Sequence, residues 1–248
     1  MSYTIAENFD LPSKGLLYDK SINPVIKLKS LTTEHEMQRL NHSDRSMKVM
    51  ADIIDDCMVE PCGISAYEMC VQDYQFLLHK LRTVTYGPEY KSIGTCPYCG
   101  NNNTTIVKLD EIPIVYFTPE CKQYLSFELP RTKDRILLKY QTPKMIDDVI
   151  IRGKELRQQY TTYKGDFEFL SNLMLMVDLV NGENKMDFEL EKYLRQLPMA
   201  DSNYILNMQD KFIQSFGLDN NINFVCEMCG LSYKSPFRIT GEFYRPYI

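Results

Sequence analysis

The chain has no apolar run approaching the ~20 residues that cross a bilayer. Its opening, Met1-Ser2-Tyr3-Thr4-Ile5-Ala6-Glu7, has neither the basic start nor the apolar centre of a secretion signal. The expectation is no membrane role and a protein that stays in the cytoplasm of the cell that makes it. Also missing are a glycine-rich loop ahead of a Lys-Ser or Lys-Thr pair, Gly-x-Ser-x-Gly and His-Glu-x-x-His. No phosphate cradle, serine nucleophile or catalytic zinc motif is therefore in view. Histidine is scarce: His35, His42 and His79 have no partner at metal or triad spacing, so each is expected to be a polar surface or helix residue. Positive charge is not in excess either. Twenty-eight Lys and Arg against 33 Asp and Glu give a net charge of −5, which draws the whole protein neither to phosphate backbones nor to anionic lipid. The acidic pairs Asp55-Asp56 and Asp147-Asp148 fall on helical stretches where neighbours point apart, and are expected to be solvated surface.

What is present is an ordinary globular composition, 44% hydrophobic and 25% charged in 248 residues, with eight cysteines. Four of these form two matching stretches, Cys96-Pro97-Tyr98-Cys99-Gly100 and Cys226-Glu227-Met228-Cys229-Gly230. The spacing lets two thiolates turn onto one metal, and the trailing Gly tolerates the positive φ of the turn. One Cys-x-x-Cys alone also fits a thioredoxin-like redox centre; two with the same Gly point to a shared metal. Cys96, Cys99, Cys226 and Cys229 make a closed set of four soft ligands, suited to one structural Zn2+ with no open position for chemistry. Rubredoxin-type iron uses the same ligands. The 126 residues between Cys99 and Cys226 are far more than a compact ribbon needs, so a ribbon would be interrupted by a domain-sized insertion. Cys57, Cys62 and Cys70, with His79, match no knuckle spacing and are expected to be small buried hydrophobes.

Patterning fills in the rest. Pro12-Ser13-Lys14-Gly15 is a turn, and Val25 to Leu31 alternates as a half-buried strand. Thr33 with Glu36, and Ser65 with Glu68, read as capping boxes ahead of helices, with another helix over Asp44 to Met58. Asn101-Asn102-Asn103 reads as a loop followed by a strand, and Leu125 to Leu129 with Arg135 to Tyr140 as a hairpin. Thr142-Pro143, Asp166, Asp187 and Asp201 then open helices, the second of them running from Phe167 to Val180. The Met-rich stretch Leu173 to Val177 is read as buried core, with an adaptable binding surface as the alternative. The ending concentrates aromatics and arginines around Phe243, Tyr244 and Arg245, the composition of an interface anchor; packing on its own domain is the alternative.

The fold expected is α+β: a four-cysteine zinc ribbon interrupted by a β-hairpin and a mainly helical insertion, with an N-terminal strand and helix region. Its parts are residues 1–85 for the N-terminal strand and helices, 86–118 for the first half of the ribbon, 119–218 for the insertion, and 219–248 for the second half and aromatic tail.

The order of features is also informative. Leu-Pro-Ser-x-Gly-x-x-Tyr (Leu11 to Tyr18), a knuckle, an apolar helix ending in Asn181-Gly182, then Leu197-Pro198, a second knuckle and Tyr244-Arg245-Pro246 span nearly the whole chain. In this order the sequence resembles the baseplate hub assembly proteins of T-even-type tailed bacteriophages. The resemblance implies a non-enzymatic assembly factor or chaperone that binds other baseplate hub proteins in the host cytoplasm, and is either released or kept in the virion baseplate. It brings no catalytic residues, only the four-cysteine set; a homo-oligomer is compatible with it. The alternatives are a nucleic-acid-binding zinc ribbon, disfavoured by the sparse basic residues around the knuckles, and a rubredoxin-like electron carrier.

Overall fold

The computed structural model describes residues 6–219, 221–237 and 241–244. Strand β1 (Ala6–Asp10) pairs antiparallel with β2 (Val25–Lys29), whose alternation buries Ile26 and Leu28. Between them the chain turns at Lys14 and Gly15, both at positive φ (51° and 73°). Helix α1 (Thr33–Arg39) starts one residue earlier than the expected box: Thr32 is its cap, and its N–H donates to His35 Nδ1 at 3.0 Å. Helix α2 (Ser46–Cys57) falls where its periodicity places it.

Ser65 and Glu68 do not open the next helix. Asp55 takes the Ser65 hydroxyl at 2.6 Å and the Ala66 N–H at 2.8 Å, which holds this stretch in turns until α3 (Val71–Tyr86) begins after Cys70. Asp55 is thus a cap for a loop and not solvated surface. Asp147 is likewise buried, accepting the Met47 and Lys48 N–H groups at the start of α2. Both carboxylates do the work of helix and turn capping that a bare sequence assigns only to adjacent residues.

Helix α3 is buried on nearly every side and is the axis of the first core, with Leu11, Ile26, Leu28, Ile54, Leu77 and Leu81 around it. His79 lies inside this core, 1% exposed and against the rings of Phe237 and Phe243, so burial lowers its pKa to about 3 and keeps it neutral. His35 is buried too, which leaves His42 as the solvent-facing member of the three.

Beyond α3, β3 (Glu89–Thr95) and β4 (Asn102–Lys108) form the first hairpin, followed by β5 (Ile114–Val115). The insertion opens with a 3₁₀ turn (Pro119–Tyr124), then β6 (Ser126–Glu128) and β7 (Arg135–Leu138) pair as expected. Helix α4 (Pro143–Gln159) is capped by Thr142, which accepts the Met145 N–H, with Pro143 in the first turn.

Helix α5 (Phe167–Met176) stops four residues short of the expected Val180. Val177–Val180 instead forms β8, a third strand against β7, because Val177 and Val180 bury against Ile136 and Leu138 there. Asn181 and Gly182 (φ 55° and 83°) then reverse the chain. Helices α6 (Asp187–Gln196) and α7 (Met199–Gln214) follow. Asp201 does not cap α7. It accepts the Arg131 and Thr132 N–H groups at 2.9 Å, pinning the β6–β7 turn. A second core, including Leu129, Ile136, Phe167, Leu173, Met176 and Ile205, lies inside this insertion, so the Met-rich stretch is core.

Strand β9 (Gly217–Leu218) pairs with β5, so the chain enters and leaves the insertion side by side. The second hairpin, β10 (Asn221–Val225) with β11 (Ser232–Pro236), and a short 3₁₀ turn (Gly241–Tyr244) complete the described chain. The first core gathers Tyr90, Leu109 and Ile112 from the segment of the first hairpin and Phe237 and Phe243 from that of the second. The architecture is α+β with small antiparallel sheets.

Candidate metal centre

The two knuckles sit at the tips of the two hairpins and repeat one backbone pattern. In the first, the Gly100 N–H donates to the Cys96 C=O at 2.9 Å and the Cys96 N–H to the Asn101 C=O at 2.8 Å; in the second, Gly230 donates to Cys226 at 2.9 Å and Cys226 to Leu231 at 3.0 Å. Gly100 and Gly230 have φ of 75° and 72°, with nothing near a would-be Cβ, so glycine is needed there for its dihedral freedom alone.

The hairpins bring all four sulfurs together. Cys96 Sγ is 3.8 Å from Cys229 Sγ, Cys99 Sγ is 3.5 Å from Cys226 Sγ, and the four ligand atoms lie within 4.8 Å of one another. A tetrahedral shell with zinc–sulfur bonds of about 2.3 Å places its sulfurs about 3.8 Å apart, so the set fits one such ion. Cys96 and Cys226 are buried beneath the knuckles, while Cys99 and Cys229 face outward. Backbone N–H groups favour the thiolate: those of Cys229 and Met228 draw Cys226 down to about 6. The Asn101 N–H pulls Cys99 the same way, but the contacts with the Cys226, Cys96 and Cys229 sulfurs and the loss of hydration together outweigh it and leave Cys99 raised, to about 12.

Side chains on the inner faces fix the hairpins against each other. Phe224 stacks on Tyr233 with ring centroids 5.3 Å apart; the Tyr233 hydroxyl donates to the Gly94 C=O at 2.8 Å and accepts from Asn103 Nδ2 at 3.1 Å. Asn103 Oδ1 accepts the Glu227 N–H at 3.0 Å, so one buried amide ties the first hairpin to the second knuckle. Asn103 was hidden in a polar run that reads as loop; its position just past a knuckle is the one sequence signal for it. Gly94 lies under the Phe224 ring, where an added Cβ would come within 2.9 Å. Gly94→Ala is expected to destabilise the protein by about 1–3 kcal/mol by overpacking, and to weaken metal retention, as read by chemical denaturation and metal analysis.

Among the described residues the other four cysteines join no such group; Cys121 is buried beside Thr118, its Sγ 3.8 Å from the hydroxyl. Cys57 Sγ is 3.8 Å from His35 Nδ1, Cys62 Sγ donates to the Ile64 C=O at 3.1 Å, and Cys70 meets the Tyr18 hydroxyl at 3.4 Å. Cys57, Cys62 and Cys70 are buried, and burial raises their pKa values, which suits packing more than ligation.

A family model described as T4 bacteriophage base plate protein matches residues 3–243. The chain belongs to that family. The match takes in both knuckles, both cores and the Leu11–Tyr18 segment, and it agrees with the resemblance drawn from the order of motifs. Among curated proteins and among solved structures, none matches the chain. Among the described residues of this baseplate protein, no helix is long and apolar enough to cross a membrane.

Two of the three residues of the expected anchor, Phe243 and Tyr244, are buried in the baseplate protein. Phe243 is 0% and Tyr244 4% exposed; the Phe243 C=O accepts from Arg82 Nε at 3.1 Å, and the Tyr244 hydroxyl donates to the Leu78 C=O at 2.9 Å. Both rings fill a gap beside α3, so these two side chains pack on their own chain. Arg245 lies outside the described residues.

Proposed function

We propose that the chain is a non-enzymatic assembly factor for the central hub of the phage tail baseplate, built on one structural zinc held by Cys96, Cys99, Cys226 and Cys229. The observation that carries the zinc reading is the closed four-sulfur set at tetrahedral spacing, which leaves a bound ion no open coordination position. Membership of a baseplate family supports partners among other baseplate proteins, hub proteins in particular, met in the host cytoplasm during assembly. Apolar surface for them is available on the knuckles, whose third residues, Tyr98 and Met228, are 64% and 75% exposed. A chaperone of this kind stabilises only the client state it binds.

Native mass spectrometry with metal analysis, on the chain co-expressed with the hub genes of its own phage, tests the reading. One zinc per chain and a stable complex with a hub protein are expected, and Tyr98→Ser with Met228→Ser is expected to weaken that complex while the zinc stays bound. An iron-bearing or metal-free protein with no hub partner would overturn it and favour a redox role.

A further inference from the structure

We propose that Leu11–Tyr18 is a clasp that fixes the neck of the helical insertion against the metal-bearing body, with Asp73 as its catch. Asp73 stands in the first turn of α3 and is 0% exposed. Three donors from the one segment close on its carboxylate: the Ser13 N–H at 2.9 Å, the Ser13 hydroxyl, and the Tyr18 hydroxyl at 2.7 Å. The Ser13 oxygen also accepts the Gly15 N–H at 3.1 Å, and the Tyr18 oxygen accepts the Cys70 N–H at 3.2 Å. Ser, Gly and Tyr of the Leu-Pro-Ser-x-Gly-x-x-Tyr signature are thus all engaged within 11–18 and on α3. Buried bonds to a charged acceptor are among the stronger ones a fold can make.

The opposite side of the same segment holds the insertion. The Pro12 C=O accepts the Phe117 N–H at 2.9 Å, just past β5 where the insertion begins. The Lys14 ammonium sits 4.6 Å from the Tyr116 ring centre, and Tyr18 meets Tyr140 edge-on at 6.0 Å. The turn of α3 that carries Asp73 completes the grip: the Val71 N–H donates to the Gln141 C=O at 2.9 Å, and Gln72 Nε2 to the Phe212 C=O at 3.2 Å. Entry, crossing and exit of the insertion therefore all converge on one helical turn and its clasp, around a small core of Cys70, Phe117, Phe212 and Phe216. A second group of ties joins α4 to the body elsewhere: Asp147 on the start of α2, Arg45 with Asp148 at 2.8 Å, and the Lys144 N–H on the Tyr67 C=O at 3.1 Å. With the clasp open, the insertion has that group of ties as its pivot.

Hydrogen exchange by mass spectrometry on the full chain, metal bound, tests the proposal with Ser13→Ala and Tyr18→Phe. Loss of a buried charge-assisted bond is expected to speed exchange roughly tenfold to a hundredfold in segments 113–118, 139–142 and 212–218. Amides of α5, α6 and the knuckles, and the metal content, should stay as in the parent. Faster exchange confined to 11–18 would overturn the proposal, as would an equal rise everywhere. Should Ser13→Ala fail to fold, Tyr18→Phe, which deletes a single donor, decides by the same pattern.

Discussion

Stripping the metal, or replacing Cys226 with Ser, is expected to part the two hairpins and remove most of the stability of the module they form. Four-thiolate structural zinc sites bind with apparent free energies of about 10–16 kcal/mol at neutral pH, and that binding counts as folding free energy. A whole domain is stable by only about 5–15 kcal/mol. What remains between the hairpins without a metal is small: the Phe224 ring over Gly94, the Asn103 bridge and the Tyr233 bond to Gly94. Without an ion the four sulfurs, all within 4.8 Å, add only weak S–H contacts to these. Because the ligands must be thiolates, the metal should also leave as pH falls. Melting followed by circular dichroism, with and without a chelator, together with a zinc-release assay, would show it. The helical insertion, which has its own core, should keep its structure while hairpin amides lose protection. Complete metal loss with an unchanged melting curve would rule out the structural role.

The second large effect is expected at Phe243→Ala: a loss of about 3–5 kcal/mol, read as a lower denaturation midpoint with an unchanged slope. The ring is fully buried and meets His79, Tyr90, Phe237 and Tyr244 at centroid distances of 5.2 to 5.6 Å. The Arg82 guanidinium lies 5.7 Å from the same ring. Removing it opens a cavity whose walls belong to α3 and β3, elements that cannot close in without disturbing the first hairpin. A surface anchor would behave in the opposite way, losing partner binding at unchanged stability. That pattern would contradict the buried placement.

The four-cysteine cluster was legible because metal-binding thiolates demand a fixed local spacing, and that spacing is visible twice in the chain. The helices with strong periodicity, α2 and α4, were legible for a similar reason. What escaped was whatever depends on distant partners. Asp147, Asp55 and Asp201 look like solvated helix acids or helix caps, yet each accepts backbone N–H groups from another part of the chain. The stretch Val177–Val180 continues an apolar helical pattern, and only the presence of β7 alongside makes it a strand. Phe243 and Tyr244 show that aromatic density states how much surface there is to bury and not which surface buries it. The segment Leu11–Tyr18 was visible as a turn, but its meaning rests on a carboxylate sixty residues away.

The distance between the knuckles also sets a timetable for synthesis. At roughly 5–20 residues per second, the ribosome delivers Cys226 about 6 to 25 seconds after Cys99. Throughout that interval the first two sulfurs are without their partners, while the insertion, with a core of its own, has time to fold between them. Pairing of β9 with β5 then returns the nascent chain to the place where the first hairpin waits. A chain broken off before Cys226 can never complete the four-sulfur set, so closure of that set certifies that the whole insertion has been made.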